Sequence, residues 1–85
     1  MSIYLYGVVA AEHGDSSAAA ISRQLRAVPH GKLAALSSVI PDRDVGTEDV
    51  RILRRQMKAH AEVLNQVVAR GVTVLPFAFG IIVPD

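Results

Sequence analysis

Residues 22–40 run Ser22-Arg23-Gln24-Leu25-Arg26-Ala27-Val28-Pro29-His30-Gly31-Lys32-Leu33-Ala34-Ala35-Leu36-Ser37-Ser38-Val39-Ile40, and the fold turns on how they are parsed. Ile21, Leu25 and Val28 stand at helical spacing, so one reading is a helix from Ser16 to about Ala27. In the other, Ser22 to Val28 is a strand, Pro29-His30-Gly31 a turn, and Lys32 to Ile40 the second arm of a hairpin. Proline fixes φ and glycine reaches positive φ, so their proximity is sound turn chemistry. Lys32 to Ile40 is a strand under both readings.

Upstream, Ile3 to Ala11 is short, apolar, β-branched and aromatic, which marks a strand. Tyr4 and Tyr6 share one side of it, and Gly7 signals a bulge or a close neighbour. Glu12 to Ser17 is a polar break, with Ser16 or Ser17 available to cap a short helix through Ala20. Downstream, the charged loop Pro41 to Gly46 leads to an amphipathic helix expected from Thr47, as N-cap, to Arg70. Gly71 is its left-handed C-terminal residue. At 100° per residue Val50, Leu53, Met57, His60, Leu64 and Val67 form its apolar stripe, with Ile52 and Val63 at the edge. Val72 to Leu75 and Phe79 to Val83 are strand segments broken at Pro76, which cannot donate to a ladder. The expected fold is α+β: a small, mainly antiparallel sheet with one long helix packed on one face. With the hairpin, the order becomes β-α-β-β-α-β, which is ferredoxin-like.

The chain has 85 residues, enough for one thin core, so 1–85 is read as a single domain. Its 51% hydrophobic content excludes a disordered tail. Nine basic against eight acidic residues leave +1, too little for a dedicated nucleic-acid binder and compatible with association into a homo-oligomer. With no cysteine there is no thiolate or disulfide chemistry. No run reaches the roughly 18–20 apolar residues of a membrane span. The first apolar run has no basic segment before it, as a secretion signal would, so a cytoplasmic protein is expected.

Catalytic constellations are weak. His60 lies on the apolar stripe with no carboxylate at helical neighbour spacing, and a structural role in orienting the helix is expected for it. His13 with Asp15 offers only two metal ligands, and neither a nucleophile elbow nor a phosphate loop is present. No metal, no cofactor and no enzymatic activity are therefore expected. The alternative is a ferredoxin-like small-ligand or enzyme domain using His60 or His13 with Asp15. Such a domain would place His60 in a polar pocket. Arg51, Arg54, Arg55 and Lys58 form a basic face best read as solvated. The uncharged stretch Val74 to Val83 holds both phenylalanines. It suits either a core strand or an apolar edge that docks on another protein.

Four segments, Tyr4-Leu5-Tyr6-Gly7-Val8-Val9, His30-Gly31-Lys32-Leu33-Ala34-Ala35-Leu36-Ser37, His60-Ala61-Glu62-Val63-Leu64 and Val74-Leu75-Pro76-Phe77-Ala78-Phe79-Gly80, occur in this order. Together they resemble the amino-terminal domain of the gas vesicle proteins GvpF and GvpL. Ala78 stands where that family usually has arginine, and Ile81 where it has threonine. The resemblance favours the hairpin. It implies a non-enzymatic accessory protein of gas vesicle assembly, associated with gas vesicles, whose partners are the vesicle shell protein and other accessory proteins. It also implies a longer protein with a largely helical carboxy-terminal domain absent here. Candidate contact residues are Leu75, Pro76, Phe77 and Phe79, with Ile52 and Val63 on the helix edge. His60, Gly71 and Gly80 are assigned structural roles.

Overall fold

The computed structural model describes residues 1–84. Strand β1 (Ser2–Ala10) runs directly into helix α1 (Ala11–Ile21), followed by β2 (Leu25–His30) and β3 (Leu33–Ile40). A 3₁₀ turn at Asp42–Asp44 leads to the long helix α2 (Val50–Ala69), and the short strands β4 (Leu75–Pro76) and β5 (Ile82–Pro84) follow. The order is β-α-β-β-α-β with an interrupted last strand. All pairings are antiparallel: β2 beside β3, β3 beside β1, and β4 and β5 both on the far edge of β1. Both helices lie on one face of the sheet, and Tyr4, Val9, Ala34, Leu36 and Val67 are buried in the layer between.

The hairpin reading of residues 22–40 is the one that folds. Leu25 to His30 pairs residue by residue with Ser38 to Leu33, and the reversal falls at Gly31, whose φ of 62° only glycine adopts freely. Pro29 and His30 therefore belong to the strand and not to the turn. Proline is tolerated because β2 is an edge strand with one side unpaired.

The polar stretch after β1 is helical, contrary to the expected break. Ser16 and Ser17 lie inside α1 and cap nothing; the helix begins at Ala11, whose N–H donates to the Lys32 carbonyl. Tertiary packing overrides local propensity here. A Cβ on Gly14 would stand 2.9 Å from the Ala34 Cβ and 3.0 Å from that of Ala27, so glycine lets the helix sit directly on the sheet.

Gly7 marks a bulge. The β1–β3 register slips between Leu5 and Gly7, leaving Tyr6 as the extra residue. The parity of β1 changes there, so Tyr4 and Tyr6 point to the helices before the bulge and Val9 after it. A Cβ on Gly7 would lie 2.8 Å from the Leu75 carbonyl oxygen, a backbone atom with little room to move. Gly7→Ala is expected to cost about 1–3 kcal/mol, measured by urea denaturation, and to loosen β4.

Helix α2 starts two residues later than Thr47 would place it. The Asp49 carboxylate accepts from the Arg51 N–H at 2.9 Å, and Thr47 Oγ1 instead accepts from the Asp49 N–H. At the other end Gly71, with φ 79°, donates to Val68, and Val72 donates to Val67, closing a Schellman cap. The buried stripe is rotated from the expected one. His60, Val63 and Val67 face the sheet, while Val50, Met57 and Val68 are exposed. Gln56 can turn partly inward because its Nε2 donates to the Asp44 carbonyl.

Candidate functional site

The face of β1 toward α2 carries an aromatic cluster. Tyr4 and Tyr6 ring centroids are 4.8 Å apart, and His60 stacks on Tyr6 at 6.0 Å and meets Tyr4 edge-on at 5.7 Å. Phe79 closes the group, 6.1 Å from Tyr4 and perpendicular to His60 at 5.9 Å. Both tyrosine hydroxyls and the His60 Nδ1 have partners. Tyr4 Oη lies 2.8 Å from His60 Nδ1 and accepts from the Gly80 N–H at 3.1 Å, while Tyr6 Oη lies 2.8 Å from Ser38 Oγ. Since the Tyr4 oxygen already accepts from Gly80, the arrangement that gives its O–H an acceptor has it donating to Nδ1. The Tyr4 hydroxyl thus joins three distant parts of the chain: strand, helix and carboxy-terminal ribbon.

Burial pushes the Tyr4 phenol above its ordinary 10.0; the Gly80 N–H acts in the opposite sense, and Tyr6 adds to the rise. The folded state therefore holds the phenol proton more tightly than the unfolded chain does. Stability from this source is complete below pH 10 and falls as pH rises through the raised value. Denaturation midpoints should be level between pH 7 and 9 and drop beyond pH 10. In Tyr4→Phe this component of the drop should vanish.

The ribbon, residues 75–81, is a sheet edge interrupted at its middle. Gly7 and Val8 pair with Pro76 and Leu75, the Phe77 N–H donates to the Tyr6 carbonyl, and the Leu5 N–H donates to the Ile81 carbonyl. Between those anchors the strand pairing lapses, with Gly80 at φ 92°. The backbone is fixed, but the side chains are not covered: Leu75 is 64% exposed and Phe79 39%, and Pro76 also faces solvent. Phe77 is half-buried. The two helix positions read as contact candidates separate. Val63, 8% exposed, is in the core and has no surface to offer a partner, whereas Ile52 is half-buried on the wall of a cleft.

That cleft, about 520 Å³, lies between the start of α2 and β1–β3 and is lined by Tyr6, Ser38, Ile52, Arg55 and Gln56 among others. His60 is not on its wall; it is packed among the rings of Tyr4, Tyr6 and Phe79. His13 and Asp15 are two residues apart on α1 and so point to nearly opposite sides of the helix. They cannot share a ligand. No motif singles out Tyr4, yet a tyrosine on the inward side of a buried strand must find a partner for its hydroxyl, and that is the signal for it.

A model of the family described as "Gas vesicle synthesis protein GvpL/GvpF" matches residues 2–85. The chain belongs to this family. Gas vesicle protein F of Streptomyces sp. (strain CB03234) is 37% identical over 95 aligned positions, covering 100% of this chain and 35% of that protein. This GvpL/GvpF-family chain thus spans about a third of the length of that curated relative. No solved structure matches it. Among the described residues no helix is long and apolar enough to cross a membrane.

Proposed function

We propose that this GvpL/GvpF-family chain serves gas vesicle assembly as a contact module without catalysing a reaction, binding the vesicle shell protein or another gas vesicle protein through its carboxy-terminal ribbon. One observation carries the proposal: an uncharged strip, with its backbone held by hydrogen bonds, presents Leu75, Pro76 and Phe79 to solvent. Such a strip binds without first having to be ordered, which lowers the entropic cost of association. Exposed apolar and aromatic side chains on a rigid edge are what a hydrophobic partner surface fits. The work is then done at the vesicle. His60 acts as a brace, holding Tyr4 and through it the turn at Gly80.

The test is affinity capture of co-expressed gas vesicle shell and accessory proteins by the tagged chain. Leu75→Asp removes the most exposed apolar side chain of the ribbon without touching the aromatic cluster, and it should cut capture at least about tenfold with an unchanged circular dichroism spectrum. Phe79→Asp should have the larger effect, with some loss of stability because Phe79 also packs on Tyr4 and His60. Undiminished capture by a folded Leu75→Asp and a folded Phe79→Asp would remove the ribbon from the interface.

A further inference from the structure

Both helices cover one face of the sheet, and among the described residues no element packs on the opposite face. Its side chains follow from the register. Ile3 pairs with Val39 on one side and Val83 on the other; Leu5 pairs with Ser37; Val8 pairs with Ala35, and Ala35 with Val28. Directly opposed residues share a face, so these rows form a mainly apolar surface across four strands, with Ser37 the polar residue within it. Val28 and Val39 are 53% and 40% exposed, and Ile3, Leu5, Val8 and Ala35 are each half-buried only by their neighbours. Arg26 is the charged side chain on it, and it lies on the outer strand β2, paired with Ser37. The middle, formed by β1 and β3, is uncharged.

We infer that this face is an interface for a second copy of the chain, the two sheets stacking face to face with helices outside. The choice of occupant rests on charge and area. A two-fold pairing sets each patch against itself, and it succeeds only where no charge meets its own copy. The uncharged centre on β1 and β3 satisfies that, and Arg26 falls at the margin. Strands of this length, at about 3.3 Å per residue and about 4.8 Å between neighbours, make a face of about 500 Å² per protomer. Two such faces bury about 1,000 Å², the size at which specific interfaces begin. The dimer is therefore weak and concentration-dependent. Twisted sheets stack in this way at about 10 Å with their strands about 30° apart. Leu75, opposite Val8, lies on this same face, whereas Phe79 packs on the helix side against Tyr4 and His60; the face needs no gas vesicle partner.

The experiment is sedimentation equilibrium of the purified chain alone, from about 1 μM to about 1 mM. The weight-average mass should rise from 9.1 kDa toward twice that value. Val39→Lys, which places an ammonium group in the uncharged centre, should weaken association about 100-fold or more while leaving the fold intact, since its side chain points away from the helices. Ala35→Lys, on the same strand and face, is the second variant should Val39→Lys not fold. A wild-type chain that stays at 9.1 kDa throughout overturns the inference, even if the face later proves to bind another protein. A folded lysine variant that dimerises like wild type does so too. The ribbon reading is tested apart from this one by Phe79→Asp in the capture experiment, because Phe79 lies on the helix side of the sheet and that experiment reads a different partner.

Discussion

Tyr4→Ala is expected to lose about 3–5 kcal/mol of stability and, more tellingly, to release the ribbon before the rest of the domain unfolds. The loss has two physical parts. Removing a buried ring leaves a cavity between β1 and α2 that Tyr6, His60 and Phe79 cannot close without leaving their present geometry. Removing the hydroxyl strips His60 Nδ1 and the Gly80 N–H of their partner. Hydrogen exchange separates the two parts. In Tyr4→Ala the amides of Gly80 and Leu5, one bonded to Tyr4 Oη and the other to the Ile81 carbonyl, should exchange faster than the amides of β3. Tyr4→Phe should keep most of the packing and still lose protection at Gly80. Equal protection of Gly80 in wild type and Tyr4→Phe would mean the ribbon is held by other contacts.

Leu36→Ala is the second large effect. Leu36 is fully buried on β3, opposite Gly7 and Ala27 in the two neighbouring strands, and neither small neighbour can fill the space its side chain leaves. A loss of about 2–5 kcal/mol is expected, read from the urea midpoint. A domain of this size has only about 5 kcal/mol or little more in hand, so the variant should be largely unfolded near 37 °C. A midpoint shifted by less than about 1 kcal/mol would mean that the helices close over the gap, and that the layer between sheet and helices is less tightly packed than Leu36, Val9 and Val67 indicate.

The sequence made some of this plain and hid the rest for identifiable reasons. The end of α2 was readable because Gly71 is a local signal with a local cause. Its start is ambiguous by two residues because Thr47 and Asp49 are both competent caps, and each accepts a backbone N–H. Residues 22–28 stayed ambiguous because Ile21, Leu25 and Val28 satisfy a helical period while the strand is decided by pairing with β3. α1 was hidden by Gly14, Asp15, Ser16 and Ser17, all weak helix formers; Gly14 is there because the sheet is too close for any side chain. The rotation of α2 goes with a hydrogen bond that no periodicity displays: Gln56 to Asp44 lets a polar residue turn inward while Met57 lies outside. The uncharged run from Val74 to Val83 stood out by composition alone. That it is a pinned edge with its side chains exposed depends on Tyr4, a residue 76 positions from Gly80.

The reading of the ribbon as the working surface is tested most directly in cells that make gas vesicles. There, pressure-sensitive light scattering would be measured with the chain carrying Leu75→Asp and its level followed by immunoblot. The expected outcome is a chain present at the wild-type level with vesicle scattering lost or strongly reduced. Wild-type scattering in cells whose only copy carries the aspartate would show that gas vesicle assembly does not depend on this edge.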